Sequence, residues 1–517
     1  MRLRQAVSRD LLTRQSYADI VPITSPIRAD RQGAKRHYGV HPYFTRRPYN
    51  VVREYVLHYS REQDVVLDPF GGSGVTAIEA FLENRVGIQN DINPLANFIA
   101  KSVAGLEHGT LTEYKESLNF VQAHSLERLQ KVQTANERRL TTFQKALALP
   151  PNIPLPSNSD VDSFRELFSA RQLTSLAILK KAIDEVPSKP GRAAMLLAWS
   201  ACLAKLSKTF LSAEGRAESR GGSSIFSIYR YKIAKNPIEL SPWDTFEERA
   251  LNVIAAKSEV DKHIEIKRKT GKWVGRFECY AQDVERLSED LSGSVDYIFT
   301  DPPYGAHISY LDLSTLWNSW LGIMPSSENR KSELIVGGEL DFPESVYTAR
   351  LGSAIRSCLR MLKPNRWLSV VFQHWNVSYF EAILTAAADS GAELKTAVSQ
   401  VGDPIWSMHK KKSNESVLAG ELILTFLKTG KKTCVNRLNG FDVGDAVRDV
   451  LLATNSDKIY GEYLFNQIVM AAWRHGAIGS LNISKTEFID LIQRNGWLYD
   501  ERNHIWARSG RQSSLFS

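Results

Sequence analysis

A doubly wound α/β sheet, interrupted by a large helical insertion and followed by a small C-terminal domain, is the fold that this sequence predicts. Three observations carry that reading. A short buried strand, Asp64 to Asp68, runs into the glycine turn Phe70-Gly-Gly-Ser-Gly74, a helix and a second strand ending at Asp91. That strand–turn–helix–strand unit opens a parallel sheet. The alternating rhythm then stops from about residue 105 to 270, where apolar residues recur at helical spacing. It resumes near Phe277-Glu-Cys-Tyr280 and continues to about residue 428.

The elements follow in order. Residues 1–36 are basic and polar and read as an arm that packs on the body or touches a partner. From His41 to Ser60 the pattern predicts a helix with Pro48 in its first turn and Val51, Val52, Tyr55 and Val56 on one apolar face. The first part of the sheet domain spans 37–104. The insertion, 105–270, predicts helices over Leu111 to Ala148 and Gly191 to Leu211, divided by a proline- and serine-rich break from Leu149 to Asp162. The sheet domain resumes over 271–430 with a strand at Asp296 to Asp301, a helix at Val346 to Leu362, a strand at Trp367 to Phe372, a helix at Phe380 to Ser390 and a strand at Glu421 to Leu427. Residues 431–517 predict a small domain of winged-helix-like character.

Bulk properties narrow the class. The chain has 517 residues, 43% hydrophobic and 24% charged, so it has enough apolar sequence for a sizeable core. Its net charge of +8 is compatible with a polyanionic partner and equally with an ordinary basic enzyme. Cys202, Cys279, Cys358 and Cys434 lie singly, which argues against a disulfide framework or zinc cluster, and the histidines lack ligand spacing, so no metal is expected. No membrane span or apolar signal region is evident, and a cytoplasmic setting is expected.

Two motifs bear chemistry. In Asp68-Pro69-Phe70-Gly71-Gly72-Ser73-Gly74 the pattern is FxGxG, without the lysine of a phosphate-binding loop. Small residues there let the backbone approach a flat or zwitterionic ligand, and Asp91 at the end of the next strand suits ribose hydroxyls. The bland reading is a tight strand-to-helix turn with no ligand. In Asp301-Pro302-Pro303-Tyr304 two prolines stiffen the chain and withhold backbone donors, leaving a carboxylate and a carbonyl to accept both protons of an amino group. Tyr304 offers a flat face for a nucleobase. The bland reading is a proline-rich loop with a packed tyrosine. Together the motifs are stronger, because a doubly wound sheet brings the ends of its first and fourth strands side by side at the switch point.

The pair resembles the amino-group DNA methyltransferases that act on adenine N6 or cytosine N4. The resemblance covers roughly residues 37 to 104 and 277 to 428. It implies S-adenosylmethionine bound by the FxGxG element with Asp91 on its ribose and Asp283 near its adenine. The segment His41-Pro-Tyr-Phe-Thr-Arg46-Arg47-Pro48 is similar to the family's element for the methionine end, so Arg47 and Pro48 are expected there. Leu362-Lys-Pro-Asn-Arg-Trp-Leu368 looks like the turn before the fifth strand. Asp at the first position of the catalytic motif leans towards adenine. The insertion falls between the second and third strands, which leaves open where DNA sequence is read. Arg216, Arg220, Tyr229, Arg230 and Lys232 in the insertion, with Lys410 and Lys411 beyond it, are candidate DNA contacts, and a solvated loop is the alternative.

The resemblance implies DNA with its target base flipped out as the partner, a nucleoid-associated setting, a restriction-modification or phage-defence role and a nuclease or defence-system subunit beside it. Two rivals stay open. One is an RNA methyltransferase acting on a tRNA base, whose usual N-terminal RNA-binding module the first forty residues leave little room for. The other is a non-catalytic DNA-binding subunit that kept the fold.

Overall fold

The computed structural model describes residues 16–30, 36–212, 221–306, 308–400, 421–431, 442–454, 457–460, 463–478, 481, 485–500 and 505–509. Along the chain come β1 (Val65–Asp68), β2 (Val86–Asn90), a short hairpin of β3 (Phe210–Ser212) and β4 (Gly221–Ser223), then β5 (Arg276–Tyr280), β6 (Val295–Thr300), β7 (Leu362–Phe372), β8 (Ala392–Gln400) and β9 (Glu421–Lys428). All but the hairpin join one sheet in the order β5-β2-β1-β6-β7-β9-β8. The run from β5 to β7 is parallel, and β9 lies antiparallel to both β7 and β8. Every residue of β2 and β6 is buried, as expected for strands covered on both faces. The order reverses between β1 and β6, so the ends of these two strands form the switch point.

The turn from β1 into the helix Val75–Leu82 depends on glycine. Gly74 has φ +91°, and a Cβ there would lie 2.6 Å from Ala100 Cβ. At Gly87 a Cβ would come within 2.0 Å of the Ala77 carbonyl, so this helix rests directly on β2.

Several boundaries differ from the sequence reading. The first sheet-domain helix is Tyr49–Tyr59, with Pro48 at its N-cap. His41 to Arg47 therefore form a non-helical approach, and the apolar face of Val51, Val52, Tyr55 and Val56 is buried as read. Leu362 to Leu368 lies inside β7, not before it. Asn365 takes a left-handed φ of 55°, and the register with β6 jumps from Val295↔Leu362 to Tyr297↔Trp367. Asp296 holds this bulge, because Lys363 Nζ (2.8 Å) and Arg366 Nε (3.2 Å) both donate to it. Strand β8 was not anticipated. Its alternation is blurred by Glu393, Lys395 and Thr396.

The insertion is helical, over Leu111–Gln133, Glu137–Lys145, Ala170–Asp184, Lys189–Ser200 and Pro242–Thr270. Asn136 caps a new helix and splits the run read as one, and the Gly191–Leu211 reading ends early, at Ser200, before the β3–β4 hairpin. The break at Leu149 to Asp162 is real. Trp199 and Phe246 are fully buried in the same apolar core as β1-side residues such as Val66 and Ile78.

Glu83 ties three elements together. Its carboxylate, 1% exposed, accepts from Arg53 Nε at 2.8 Å and meets Lys267, with His263 Nε2 at 3.5 Å. These partners stand on Tyr49–Tyr59 and on the long helix Pro242–Thr270. The N-terminal segment packs on the body: the Tyr17 ring lies between Arg61 (4.1 Å) and Arg366 (3.5 Å), and its hydroxyl donates to Asp64 at 2.6 Å.

Near the C-terminus the order is a helix (Val443–Ala453), β10 (Lys458–Tyr460), helices Tyr463–Arg474 and Lys485–Arg494, β11 (Trp497–Asp500) and β12 (Ile505–Arg508). An antiparallel sheet runs β10-β12-β11. Trp375, just after β7, packs on Phe465 (4.5 Å) and Phe488 (5.8 Å) of these helices. No described helix is long and apolar enough to cross a membrane.

Candidate active site

A cavity of about 270 Å³ opens at the carboxyl ends of β1, β2, β5 and β6. It is lined by Asp68, Pro69, Phe70, Gly71 and Gly72 from the glycine turn, by Asp91 and Asp283, and by Asp301 and Pro303 from the second motif. The two motifs, more than two hundred residues apart in sequence, are therefore neighbours. A direct bond joins them, since Thr300 Oγ1 donates to Asp68 Oδ1 at 2.9 Å.

Asp68 is buried and also accepts from Thr76 Oγ1 (2.8 Å) and Phe70 N (3.1 Å). Burial pushes its carboxyl up to about 7, against those three donors. Asp91 accepts from Gly72 N (2.9 Å) and Asn93 N (2.8 Å), which locks the glycine turn against the end of β2. Burial lifts it to about 6, again against its donors. Each carboxylate oxygen of Asp91 keeps a further acceptor position for a ligand. Asp283 lines the cavity while Oδ1 caps the helix Val284–Asp290 through Glu285 N at 2.8 Å.

Asp301 sits in a polar array. Tyr304 Oη donates to Asp301 Oδ1 at 2.5 Å, and Arg47 Nε donates to Oδ2 at 2.5 Å. Arg47 Nη2 also donates to Tyr304 Oη at 2.6 Å, and Arg47 pairs with Glu421 at the start of β9. Burial raises the Asp301 carboxyl above its usual range, and the Arg47 guanidinium opposes that rise. The Tyr304 ring stands edge-on to Phe372, 5.2 Å between centroids. The Pro303 carbonyl accepts from Tyr347 Oη at 2.6 Å, which fixes the proline segment from behind.

Some expected site residues sit elsewhere. Pro48 and Gly74 do not line the cavity: Pro48 caps a helix and Gly74 makes room for Ala100. Pro302 is buried and likewise absent from the lining. Arg47 reaches the catalytic motif, whereas its neighbour Arg46 turns to the glycine side, donating from Nε to Ser73 Oγ (2.9 Å) and from Nη2 to the His41 carbonyl (2.6 Å). Cys358 is buried but Cys279 only partly so.

Of the candidate DNA contacts, Arg216, Arg220, Lys410 and Lys411 lie outside the described residues. Arg230 is exposed and paired with Asp160 at 2.7 Å, and Lys232 is exposed. Tyr229 is half-buried with a left-handed φ of 52°. Tyr231, in the same stretch, is a core residue. Its hydroxyl lies 2.7 Å from the Leu313 carbonyl and accepts from Leu316 N at 3.1 Å, joining the insertion to the segment after the catalytic motif.

Sequence reasoning missed Arg46, Asn90, Gln282, Tyr310 and Glu333, which all line the cavity. Asn90 is the most legible in retrospect, as the polar residue ending β2. Its Nδ2 donates to the Pro69 and Gln282 carbonyls, both at 3.0 Å, so it braces the glycine turn against the segment after β5. Burial raises the Glu333 carboxyl to about 8, with Asp312 adding to the effect.

The cavity fits S-adenosylmethionine on its own chemistry. Gln282 Oε1 is a buried acceptor with no hydrogen-bond partner, suited to an amino group. At Gly71, which lines the cavity, a Cβ would fall 2.0 Å from Gln89 Oε1, so the turn lies directly against β2 there.

Residues 17–101 match the model of a family described as DNA methylase. The matched stretch contains Arg46, Arg47, the glycine turn and Asp91, and supports the amino-group DNA methyltransferase family and with it a methyltransferase. Among solved structures, the antibiotic-resistance methyltransferase Kmr is similar to this chain at 16% identity. That likeness covers 34% of this chain and 72% of that one, with a TM-score of 0.17. No curated protein matches the chain.

Proposed function

We propose that this chain, whose residues 17–101 carry the amino-group DNA methyltransferase signature, moves a methyl group from S-adenosylmethionine to an exocyclic base amine in DNA, with adenine N6 favoured. The observation that carries this reading is the adjacency of a carboxylate-lined, glycine-walled cavity and the Asp301–Tyr304 array. S-adenosylmethionine supplies an electrophilic methyl group on a sulfonium. Gln282 Oε1 and Asp283 would hold its adenine end and Asp91 its ribose. Arg46, on the glycine side of the cavity, would meet its methionine carboxylate.

Asp301 would accept hydrogens of the target amine. That raises electron density on the nitrogen and orients its lone pair, and the same carboxylate can take the proton released on methylation. Alignment of the two reactants contributes most of the acceleration, and no covalent nucleophile is required. In duplex DNA the base must leave the stack, at a cost of a few kcal/mol. Tyr304, and Tyr310 on the cavity wall, offer rings to receive it. Arg230, Lys232 and Tyr229 remain proposed DNA contacts on the insertion, as do the basic residues beyond the described segments. A restriction-modification or defence role, with a nuclease partner, is proposed on the resemblance.

The test is transfer of labelled methyl from S-adenosylmethionine to unmethylated genomic DNA, with total tRNA in parallel, followed by nucleoside mass spectrometry. N6-methyladenine in DNA supports the reading in full, and N4-methylcytosine corrects the base. Label confined to tRNA sinks DNA as substrate, and label in neither argues for a non-catalytic subunit.

Cofactor affinity should depend on pH through Asp91. A ribose hydroxyl donates to the ionised carboxylate, so binding should weaken as pH falls through about 6, approaching about tenfold per pH unit below it. Calorimetric titration with S-adenosylhomocysteine between pH 5 and pH 8 measures this. Asp91→Asn should bind weakly with a much flatter pH dependence, and an equally steep dependence in that variant would refute the assignment.

A further inference from the structure

We propose that Arg47 is a positioning residue for methyl transfer, holding the Asp301 carboxylate and the Tyr304 hydroxyl in a fixed array anchored at Glu421. This rests on the methyl-transfer reading above and reassigns a residue that the sequence placed with the cofactor.

The geometry is specific. Each of the three guanidinium nitrogens engages a different side chain: Nε donates to Asp301 Oδ2 (2.5 Å), Nη2 to Tyr304 Oη (2.6 Å), and Nη1 pairs with Glu421. A planar fork of donors imposes direction as well as charge, which a lysine ammonium does not. The Tyr304 hydroxyl, accepting from Arg47, must turn its own proton to Asp301 Oδ1, 2.5 Å away. Asp301 thus receives one donor on each oxygen. One acceptor position per oxygen remains, enough for an amine that presents two hydrogens.

The electrostatics point the same way. Asp301 is partly buried, and Glu421 adds a second negative charge beside it, so both desolvation and that neighbour favour the protonated acid. A protonated carboxyl presents a hydrogen to the amine and loses acceptor capacity. Arg47 is the counter-charge that opposes both effects. Burial disfavours the charge on Arg47 itself, but Asp301 and Glu421 outweigh that and hold it firmly protonated. The segment Thr45-Arg46-Arg47 therefore divides its cations: Arg46 braces the glycine turn and Arg47 the catalytic motif.

The test uses the full chain with Arg47→Gln, Arg47→Lys and Glu421→Gln. In Arg47→Gln, kcat should fall about 100-fold, KM for S-adenosylmethionine should change less than about threefold, and the acid limb of the kcat–pH profile should move to higher pH. Arg47→Lys should restore the position of the limb more fully than the rate, because it keeps the charge and loses the fork. Glu421→Gln should move the limb to lower pH, and it carries the test if Arg47→Gln does not fold. Independently of turnover, the Asp301 carboxyl, followed by carbon-13 NMR and assigned with Asp301→Asn, should titrate at higher pH in Arg47→Gln than in the native chain. A tenfold rise in KM for S-adenosylmethionine with kcat and the acid limb unchanged would return Arg47 to the cofactor and overturn the proposal. So would an unchanged Asp301 titration. If the native chain methylates neither DNA nor RNA, the functional reading fails, and the Asp301 titration alone decides whether Arg47 positions it.

Discussion

Asp301→Asn is expected to reduce methyl transfer by about 10³-fold while leaving S-adenosylmethionine affinity within about threefold of the native value. The substitution keeps the shape of the side chain and removes what the reaction needs. An amide directs one NH₂ group into a space built for acceptors, where the hydrogens of the target amine and the Arg47 guanidinium already point. The cofactor side should be spared. Asp91 and Asp283 are held by their own backbone donors, and Asp68 by Thr76 and Thr300, none of which belongs to the Asp301 array. Single-turnover transfer with labelled cofactor reads the first quantity, and calorimetry with S-adenosylhomocysteine reads the second. Activity within tenfold of native would sink the mechanism, because no other described carboxylate is placed to hold the amine in the same way.

The largest stability effect should come from Glu83→Gln, at about 3 kcal/mol. One buried carboxylate there serves Arg53, His263 and Lys267. Neutralising it takes the shared carboxylate from all three and leaves Arg53 only the exposed Glu54, 3.8 Å away, and breaking a buried ion-pair cluster costs more than the loss of a surface pair. The pH dependence has a definite sign. Burial alone would raise the Glu83 carboxyl, but hydrogen bonds from His263, Lys267 and Arg53 outweigh it and hold the group far below its ordinary range. A folded value below the unfolded one gives stability that is fully present above the unfolded value, about 4.3, and is lost as pH falls towards the folded value. Urea unfolding should therefore show a gap between native and Glu83→Gln chains that is full at pH 7 and narrows below about pH 4.5. Equal midpoints at pH 7 would show that the cluster contributes nothing net.

Both expectations turn on which residues the fold brings together, and the two differ in how far the sequence foretold them. The sheet, the two motifs and their adjacency were legible in one dimension. A buried strand ending in Asp68, a glycine-rich turn that requires glycine at Gly74, and a rigid proline pair after β6 are local signals, and doubly wound topology places such strand ends together. The helical insertion was legible too, because helical spacing differs from strand alternation over so long a stretch. Strand β8 was not, because its charged and polar residues obscure the alternation.

What only the tertiary structure decided is which partner each polar side chain takes. Arg46 and Arg47 are identical in chemistry and adjacent in sequence, yet one braces Ser73 and the other Asp301. Tyr231 sits among basic loop residues and is nevertheless core, because the carbonyls it meets belong to a segment some eighty residues away. Glu83 reads as a helix-end acid, and its three partners come from two other helices. Strand and turn are encoded by neighbours along the chain, whereas a buried charge is satisfied by whatever the folded layers bring within about 3 Å.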